Sequence, residues 1–355
     1  VHKIAGQMKE SASKVYEALP GYMKLWLEYG NEGSLPLTIR DAKLWIDSIK
    51  NRFVVETDVK NPAFEGNTLK GVHKRISENN KKDILLSTRN LSFSYDKNKI
   101  LKDFSIDIFG GNIYAIMGGN GSGKTTALKI LAGIYKANNG KIKRKKDLRV
   151  VYLTQNPQTI FTEINVYDEL KEVFVSHKDF FKNEYTKYKN IGRKDAENYE
   201  CFIDTKIKEM LEKMELSDLS LRHPFDISVG QQQRLAIAKV LLLKPDVLLR
   251  DEPTKGLDGE FKIKLADILK RMAKTGIAVV LVSHDIDFCS ENADVCGLLF
   301  DGEMTRMQSA GEFFSNNYFY TTDICRMFSD LYGMTAGVGR NLPVNYRQAV
   351  EVFER

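Results

Sequence analysis

The chain has 355 residues, of which 43% are hydrophobic and 28% are charged. This length is enough for one large or two modest domains with buried cores, and the composition is ordinary for a soluble globular protein. The formal net charge of +6, from 53 basic and 47 acidic residues, is too mild to indicate a nucleic acid or an anionic membrane surface as a partner.

The cysteines and the apolar runs argue against two further kinds of structure. Cys201, Cys289, Cys296 and Cys325 form no CxxC pair and no metal-ligand spacing, so we expect reduced cysteines, as in a cytosolic protein. A membrane-spanning helix needs about 20 consecutive apolar residues, whereas the longest runs here have the length of a strand. The sequence therefore predicts no membrane span. Val1 opens no signal peptide, and we expect the chain to begin inside a longer gene product.

Residues 1–82 differ from the rest and are predicted to form an N-terminal segment of helices and linker. The spacing of apolar residues predicts helices over residues 5–29 and 37–49, and the second helix follows a break at Gly33-Ser34-Leu35-Pro36. Residues 61–82 are polar, and we interpret them as a solvated linker rather than a specific basic site. We predict no internal repeat in the chain.

From about residue 84 the pattern changes to strands alternating with helices. Two alternating strands at 85–95 and 100–109 come first, and short apolar strands follow at 112–117, 150–153, 247–249, 277–282 and 295–299. Helices are predicted at 124–135, 231–243, 261–274 and 286–293. This order predicts an α/β domain over residues 83–310, with a mainly parallel sheet, helices on both faces and an antiparallel β subdomain.

Two regions of the chain lack strand signals. Helical runs such as 202–214 predict a helical subdomain at about 160–225. Its portion from 178 to 199 is rich in Lys, Asn and Tyr, and we expect it to loop outward. Residues 311–355 are predicted to form a C-terminal helical tail.

A glycine-rich loop follows the strand at 112–117 and opens a helix. Its residues are Gly118, Gly119, Asn120, Gly121, Ser122, Gly123, Lys124 and Thr125. The glycines let backbone N–H groups curve around a phosphate, and the helix N-terminus adds partial positive charge. Lys124 would neutralise the β- and γ-phosphates, and the Thr125 hydroxyl would bind Mg²⁺. The loop therefore predicts an ATP site, whose phosphate contacts extend to Thr126.

The strand at 247–249 runs into Arg250, Asp251 and Glu252. Residues at the carboxyl edge of a parallel sheet would lie beside the glycine loop. Asp251 would hold Mg²⁺ through water, and Glu252 would polarise the attacking water, which predicts ATP hydrolysis. Because an unpaired charge inside a sheet is costly, we expect Arg250 to reach the strand edge or an acidic neighbour.

Between these motifs, Ile227-Ser228-Val229-Gly230-Gln231 opens another helix. This segment resembles the LSGGQ signature of the ATP-binding-cassette (ABC) ATPases, which have the P-loop NTPase fold. The resemblance implies that Ser228, Gly230 and Gln231 contact an ATP molecule held by a second nucleotide-binding domain. Val229 departs from the pattern, in which glycine is usual, and a β-branched residue resists φ > 0. We therefore hypothesise that the site formed with Val229 is the weaker of two unequal sites.

Other family motifs are matched in order along the chain. The resemblance implies that Tyr95 stacks on adenine, a use suited to an aromatic face. It implies that Gln155 is the lid glutamine that senses Mg²⁺ and reports to a transmembrane partner. Gly256-Leu257-Asp258 is similar to the loop that crosses between two nucleotide domains. His284 resembles the switch histidine that contacts the γ-phosphate.

The flanks resemble one branch of the family. Pro36-Leu37-Thr38-Ile39-Arg40-Asp41-Ala42, followed by Trp45, is similar to the segment that joins the two cassettes of energy-coupling factor (ECF) ATPases. Residues 313–322 are similar to the tail of their second cassette. This resemblance implies that residues 1–82 carry the tail of a preceding cassette. It also implies that ATP hydrolysis powers uptake of a vitamin or a metal ion.

The resemblance also implies cofactors, partners and a location. ATP and Mg²⁺ are the cofactors, and ATP binding joins two nucleotide-binding domains, in a homo- or heterodimer or by fusion upstream. An integral membrane transporter subunit is the second partner, so the chain would be peripheral at the cytoplasmic face of the cell membrane. No nucleic acid is expected. The alternatives are a soluble ABC ATPase acting on ribosomes or DNA, and a nucleotide-gated module without turnover, against which Glu252 and His284 argue.

Overall fold

The computed structural model describes residues 16, 19–30, 34–50, 84–190, 198–317, 319–331 and 342–354. The chain divides into a sheet unit, Val1–Leu148 with Asp246–Arg355, and a helical unit, Arg149–Pro245. The predicted linker at 61–82 and the first part of the predicted helix at 5–29 lie outside the described residues.

The secondary structure follows the predicted alternation of strands and helices. In chain order the described strands are β1 (Ile84–Tyr95), β2 (Asn98–Phe109), β3 (Ile113–Met117), β4 (Asn139–Arg144), β5 (Val150–Leu153), β6 (Val247–Asp251), β7 (Ala278–Val282), β8 (Val295–Phe300), β9 (Glu303–Met304) and β10 (Gln308–Ser309). The described α-helices are α1 (Gly21–Tyr29), α2 (Ile39–Ser48), α3 (Lys124–Ala132), α4 (Val166–Ser176), α5 (Lys178–Asn190), α6 (Tyr199–Lys213), α7 (Val229–Leu242), α8 (Gly259–Lys274), α9 (Ile286–Asn292), α10 (Ala310–Ser315), α11 (Asp323–Leu331) and α12 (Tyr346–Phe353).

A parallel sheet forms the centre of the sheet unit. Strands β6, β7, β3 and β8 lie side by side in that order, and all are parallel. Every residue of β3, β6 and β7 is buried, which explains why these strands are continuous apolar runs rather than alternating ones. Helix α3 packs against β6 and β7, and α8 packs against β7 and β3. The predicted α/β class is confirmed.

An antiparallel layer continues the same sheet. Strands β1 and β2 pair along their length, and β4 pairs with the other edge of β1. The short strand β9 turns back from β8 and meets β2, with Glu303 opposite Asp103. This arrangement is the predicted antiparallel β subdomain.

The helical unit consists of β5 followed by helices α4 to α7. Residues 178–190, which we expected to loop outward, instead form α5, and residues 191–197 lie outside the described part of the chain. Phe181 of α5 is buried with its ring centroid 4.2 Å from that of Phe174, so one apolar stripe anchors the helix. The abundance of lysine and asparagine that suggested a loop belongs to its exposed face.

A buried ion pair joins two helices of this unit. Glu169 of α4 is fully buried, and Lys239 of α7 donates to its Oε2 atom at 2.5 Å. The other carboxylate oxygen of Glu169 accepts from the backbone N–H groups of Thr162 and Glu163, at 2.5 and 2.7 Å. Both oxygens are therefore satisfied, as burial of a charge requires.

Two pairs of helices pack together in the sheet unit. We call α1 with α2 the leading pair and α11 with α12 the tail pair. Helix α2 packs mainly on α11, and α12 packs on α1. Phe353 lies near the centre of the group, with its ring centroid 4.6 Å from that of Tyr29 and 5.8 Å from that of Trp45.

The two pairs of helices share a short similar segment. Residues 35–46 read LPLTIRDAKLWI and residues 342–353 read LPVNYRQAVEVF. Thr38 and Asn345 occupy the same position, and each caps the helix that follows. Ala42 and Ala349 are both fully buried. The similarity is too short and too divergent to stand out in sequence, whereas the two segments share cap, helix and packing position.

Within the described parts of the chain, none of the helices combines the length and the apolar character needed to cross a bilayer.

Candidate nucleotide-binding and catalytic site

The glycine loop connects β3 to α3 and has a backbone that side chains would obstruct. A Cβ on Gly118 would lie 2.4 Å from the backbone oxygen of Leu299 and 2.8 Å from Oγ of Ser122. Gly121 and Gly123 have φ angles of 79° and 100°, in the left-handed region that favours glycine. The loop therefore keeps its shape only with glycine at these positions.

Lys124 is the first residue of α3, and its side chain folds back over the loop. Its Nζ atom donates to the backbone oxygens of Gly118 and Gly119, at 2.9 and 2.8 Å. Burial lowers the pKa of Lys124, while the carboxylates of Glu252 and Asp251 act in the opposite direction. The ammonium group is thus held inside the curve of the loop, where a phosphate would sit.

Two oxygen ligands meet beside the loop. The Thr125 hydroxyl donates to Oδ2 of Asp251 at 2.7 Å, which brings the start of α3 to the carboxyl end of β6. A hydroxyl and a carboxylate form the hard-oxygen donor set that Mg²⁺ prefers. Oγ of Ser122 is buried and has no hydrogen-bond partner among the described residues. These residues therefore fit a Mg²⁺–phosphate group.

Glu252 follows β6 in a strained backbone conformation. Its φ is 45°, in the left-handed region that a non-glycine residue seldom adopts. Its N–H donates to the backbone oxygen of Val282 at 2.9 Å, which holds the turn in place. Nδ1 of His284 lies 2.8 Å from Oε1 of Glu252. Because an ionised carboxylate only accepts, Nδ1 carries the hydrogen and Nε2 remains for another partner.

Tyr95 lies at the end of β1 among other aromatic rings. Its ring is 43% exposed and meets the rings of Phe93 and Tyr135 edge-on, at centroid distances of 4.9 and 5.7 Å. Its hydroxyl also takes part in hydrogen bonds with Tyr135 and Thr126. The exposed ring is available for stacking. Tyr135 is a site residue that the sequence analysis missed, since only the fold brings it to Tyr95.

The signature residues belong to the helical unit. Ser228 caps α7, with its Oγ accepting from the N–H of Gln231 at 3.3 Å and its own N–H donating to Oε1 of Gln231 at 2.8 Å. Val229 and Gly230 are the first residues of the helix. Val229 is helical and has no positive φ. The backbone strain that we expected at this residue is therefore absent, and that part of the hypothesis is wrong. What remains is an isopropyl group that is 52% exposed at the helix N-terminus.

The comparisons with known proteins agree with this geometry. The model of the ABC transporter family matches residues 101–255. An ABC transporter ATP-binding protein of Pyrococcus horikoshii is 35% identical over 242 residues, which cover 65% of this chain and 85% of that protein. The chain belongs to the family of ABC transporter ATP-binding proteins. The predicted membership of the ABC family is therefore confirmed, and members of this family are ATPases.

Other relatives of this ABC protein are longer. An ABC transporter ATP-binding protein of Bacillus thuringiensis is 33% identical over 321 residues, covering 87% of this chain and 51% of the relative. The chain thus spans about half the length of the first curated relatives that it matches. The solved structure of cbiO1 from Clostridium perfringens, part of the ABC transporter complex cbiONQ, is 26% identical with a TM-score of 0.55. It matches 66% of this chain and 91% of that one.

Arg250 departs from the ABC pattern and is fully buried in β6. Burial lowers its pKa to about 10, and the charge of Asp251 acts in the opposite direction. The guanidinium therefore stays protonated at neutral pH. Full burial contradicts the predicted position at the strand edge, and a contact of Arg250 with an acidic neighbour stays a prediction.

The structure brings together only part of the predicted site. Lys124, Thr125, Asp251, Glu252 and His284 converge within the sheet unit. Four further predicted site residues lie in the helical unit, namely Gln155, Ser228, Gly230 and Gln231. Gln155 follows β5 and is exposed. The roles of these four residues at the nucleotide stay predictions.

Proposed function

We propose that the chain hydrolyses ATP as the nucleotide-binding part of an ABC transporter. The observation that carries this proposal is the convergence of the Thr125–Asp251 and Glu252–His284 pairs beside the ammonium group of Lys124. The first pair fits a metal-bound phosphate, and the second fits the activation of water. Together they favour turnover over a module that only binds nucleotide.

Each residue of the site then has a defined task. Lys124 leaves the carbonyl oxygens of its own loop and neutralises phosphate oxygens, as in other P-loops. Thr125 and Asp251 would hold Mg²⁺, which when bound would offset the negative charge of the phosphates. Glu252 accepts a hydrogen bond from the attacking water and increases its nucleophilicity. His284 fixes one oxygen of Glu252 so that the other points toward the water.

A second nucleotide-binding domain completes this site in the proposed mechanism. Ser228, Gly230 and Gln231 would face the γ-phosphate of the ATP held by that domain. Their position at the start of α7 supports the proposal, because free N–H groups and the partial positive charge of a helix N-terminus attract phosphate. Gln155 would sense Mg²⁺ and report to the membrane subunit. Two domains would close on ATP and separate after hydrolysis.

We further propose that the transport is ECF-type uptake of a vitamin or a metal ion through a separate membrane protein. The flanking segments at 36–45 and 313–322 support this branch. So does the likeness to cbiO1, which belongs to an ABC transporter complex. The chain would then work at the cytoplasmic face of the membrane. A soluble ABC ATPase acting on ribosomes or DNA is the alternative.

The hydrolytic proposal is tested with a Glu252→Gln variant. We expect it to bind Mg²⁺–ATP yet release phosphate about 10² to 10⁴ times more slowly than the wild type, because general-base assistance is worth that much. Glu260→Gln, on the surface of α8, is the matched control and should keep wild-type activity. A wild-type protein without Mg²⁺-dependent phosphate release would contradict the proposal.

The membrane partner is tested separately by affinity purification from detergent-solubilised membranes. Co-purification of an integral membrane protein in near-equal amount supports the transporter. Recovery of the chain with ribosomes or DNA, and without a membrane protein, would support the soluble alternative.

A further inference from the structure

Helix α3 connects the nucleotide loop at its start to an aromatic side chain just beyond its end. The chain turns at Gly133, directly after the helix. The N–H groups of Ile134 and Tyr135 then both donate to the backbone oxygen of Lys129, at 2.9 and 3.2 Å. The side chain of Lys129 also contacts Tyr135, with its ammonium nitrogen 5.2 Å from the ring centroid. The helix that begins at Lys124 therefore also fixes the position of Tyr135.

Three aromatic rings meet beside this turn. The ring centroids of Phe93, Tyr95 and Tyr135 form a nearly equilateral triangle, with sides of 4.9, 5.5 and 5.7 Å. The rings of Phe93 and Tyr135 are parallel to within 6°, and the ring of Tyr95 stands at 89° and 90° to them. Phe93 is buried, so it anchors the group to β1. The tilt of the Tyr95 ring is therefore set by two neighbouring rings rather than by one.

Hydrogen bonds hold the far end of the Tyr95 side chain. Its hydroxyl bonds with the hydroxyls of Tyr135 and Thr126, and Thr126 lies in the first turn of α3. The Nζ atom of Lys129 lies 3.5 Å from the Tyr135 hydroxyl and extends this set of polar contacts. The Tyr95 ring nevertheless stays exposed. The contacts thus hold the ring in one orientation and leave part of its surface available to a ligand.

We propose that Tyr135 is a positioning residue for the nucleotide base, because it holds the ring of Tyr95 in the orientation that stacks on the base. A ring that must be ordered during binding costs binding free energy, whereas a ring that is already held does not. Tyr135 is suited to this task because it supplies both a ring contact and a hydroxyl group. The inference rests on the proposed function, in which Tyr95 stacks on adenine, and it adds a residue outside the contiguous motifs.

Equilibrium binding of two ligands to the full chain separates this task from a general effect on the site. Mg²⁺–ATP carries a base, whereas Mg²⁺–tripolyphosphate carries phosphates alone. We expect Tyr135→Leu to weaken the binding of Mg²⁺–ATP about tenfold, because stacking of a base on an aromatic ring is worth about that much. The binding of Mg²⁺–tripolyphosphate should not change. Ile134→Ala, at the exposed neighbouring residue, is the matched control and should bind both ligands as the wild type does.

Further variants show whether Tyr135 acts through Tyr95. Tyr135→Phe keeps the ring contact and loses only the hydroxyl bond, so its loss of ATP affinity should be smaller than that of Tyr135→Leu. Tyr95→Leu should weaken ATP binding about tenfold by itself, and adding Tyr135→Leu should cause no further loss. A further loss in the double variant would overturn the proposal. So would normal ATP binding by Tyr135→Leu, or an equal loss of tripolyphosphate binding.

ATP hydrolysis gives a second readout. In Tyr135→Leu the KM for ATP should rise about tenfold with kcat unchanged, because a contact with the base acts equally on the ground state and the transition state. A fall in kcat at unchanged KM would overturn the positioning role. The binding measurements do not need turnover. A wild type that binds ATP without hydrolysing it would therefore count against the proposed function and not against this inference.

Discussion

Glu252 combines a strained backbone with a fixed side chain. A left-handed φ at a non-glycine residue costs of order 1–3 kcal/mol and persists only where the surroundings enforce it. Here the Glu252 N–H to Val282 hydrogen bond and the His284 contact do so. The strain places the carboxylate at the loop instead of continuing the strand.

Asp287 of α9 gives a prediction for stability against pH. Burial, together with the charges of Asp323, Asp285 and Glu291, raises the pKa of Asp287 to about 6, and Lys262 acts in the opposite direction. A raised carboxyl pKa means that the folded state binds the proton more tightly than the unfolded state. Stability from this group is therefore complete below about pH 4 and is lost as the pH rises through 6.

The Asp287→Asn variant should therefore be more stable than the wild type at about pH 8, by no more than about 1 kcal/mol, because Asp287 is exposed and solvent screens its charge. The advantage should shrink as the pH falls toward 4, where Asp287 is protonated in both states. Urea unfolding across this pH range measures the difference. Asp218→Asn, at an exposed position, is the control. A gain that did not depend on pH would show that packing, and not titration, is responsible.

The residues of the nucleotide loop could be predicted because their chemistry depends on spacing along the chain. Gly118 to Thr125 and the Asp251–Glu252 pair are contiguous motifs. Tyr135 could not be predicted, because its contact with Tyr95 requires β1 and the end of α3 to meet in space. The burial of Arg250 was missed for a similar reason, since a charged residue gives no sequence signal of its enclosure.

At the scale of elements, two helices are tied together beside His284. Asp258 caps α8, accepting from the N–H of Phe261 at 2.8 Å. One turn further, Lys262 donates to Oδ2 of Asp285 at 2.6 Å. The other oxygen of Asp285 caps α9, accepting from the N–H of Phe288 at 3.1 Å. Asp285, the residue after His284, is thus held by Lys262 of α8 and by the first turn of α9.

Removing the charge of Lys262 should therefore loosen His284 without affecting nucleotide binding. We expect Lys262→Met to lower kcat for ATP hydrolysis about tenfold with KM unchanged, since small misplacements of catalytic groups cost this much or more. Lys264→Met, two residues along the same helix, should behave as the wild type. Asp285→Asn keeps the cap of α9 but loses the ion pair, so it should lower kcat as much as Lys262→Met does. The double variant should show no further loss of kcat.

The strand and helix order was predictable because apolar runs and periodicity are local properties. Helix α5 was mistaken for a loop because one buried stripe, with Phe181 at its centre, was outweighed by polar residues on the exposed face. The similar segment escaped notice because its two copies share few identities. The similarity becomes evident only in the packing, where α2 lies on α11 and α12 lies on α1. The sequence of either segment alone does not predict this packing.

At the scale of the whole molecule, the proposed mechanism gives one chain the half-sites of two different ATP molecules. The loop around Lys124 would hold the chain's own nucleotide, and the start of α7 would serve that of a partner. Val229 stands at this helix start with an exposed isopropyl group, where family members usually have glycine. Since Val229 is helical, any weakness of the shared site must come from bulk near the N–H groups and not from backbone strain.

Two substitutions at position 229 test whether the shared site is the weaker of two. Val229→Ala removes the bulk and keeps a good helix former, whereas Val229→Gly removes the bulk and also adds backbone freedom. If bulk limits the approach of the γ-phosphate, both variants should raise the ATPase rate per assembled dimer by a similar factor. A higher ATPase rate in Val229→Gly alone would indicate that backbone conformation, and not bulk, weakens the site. Unchanged rates in both variants would show that Val229 does not weaken the site.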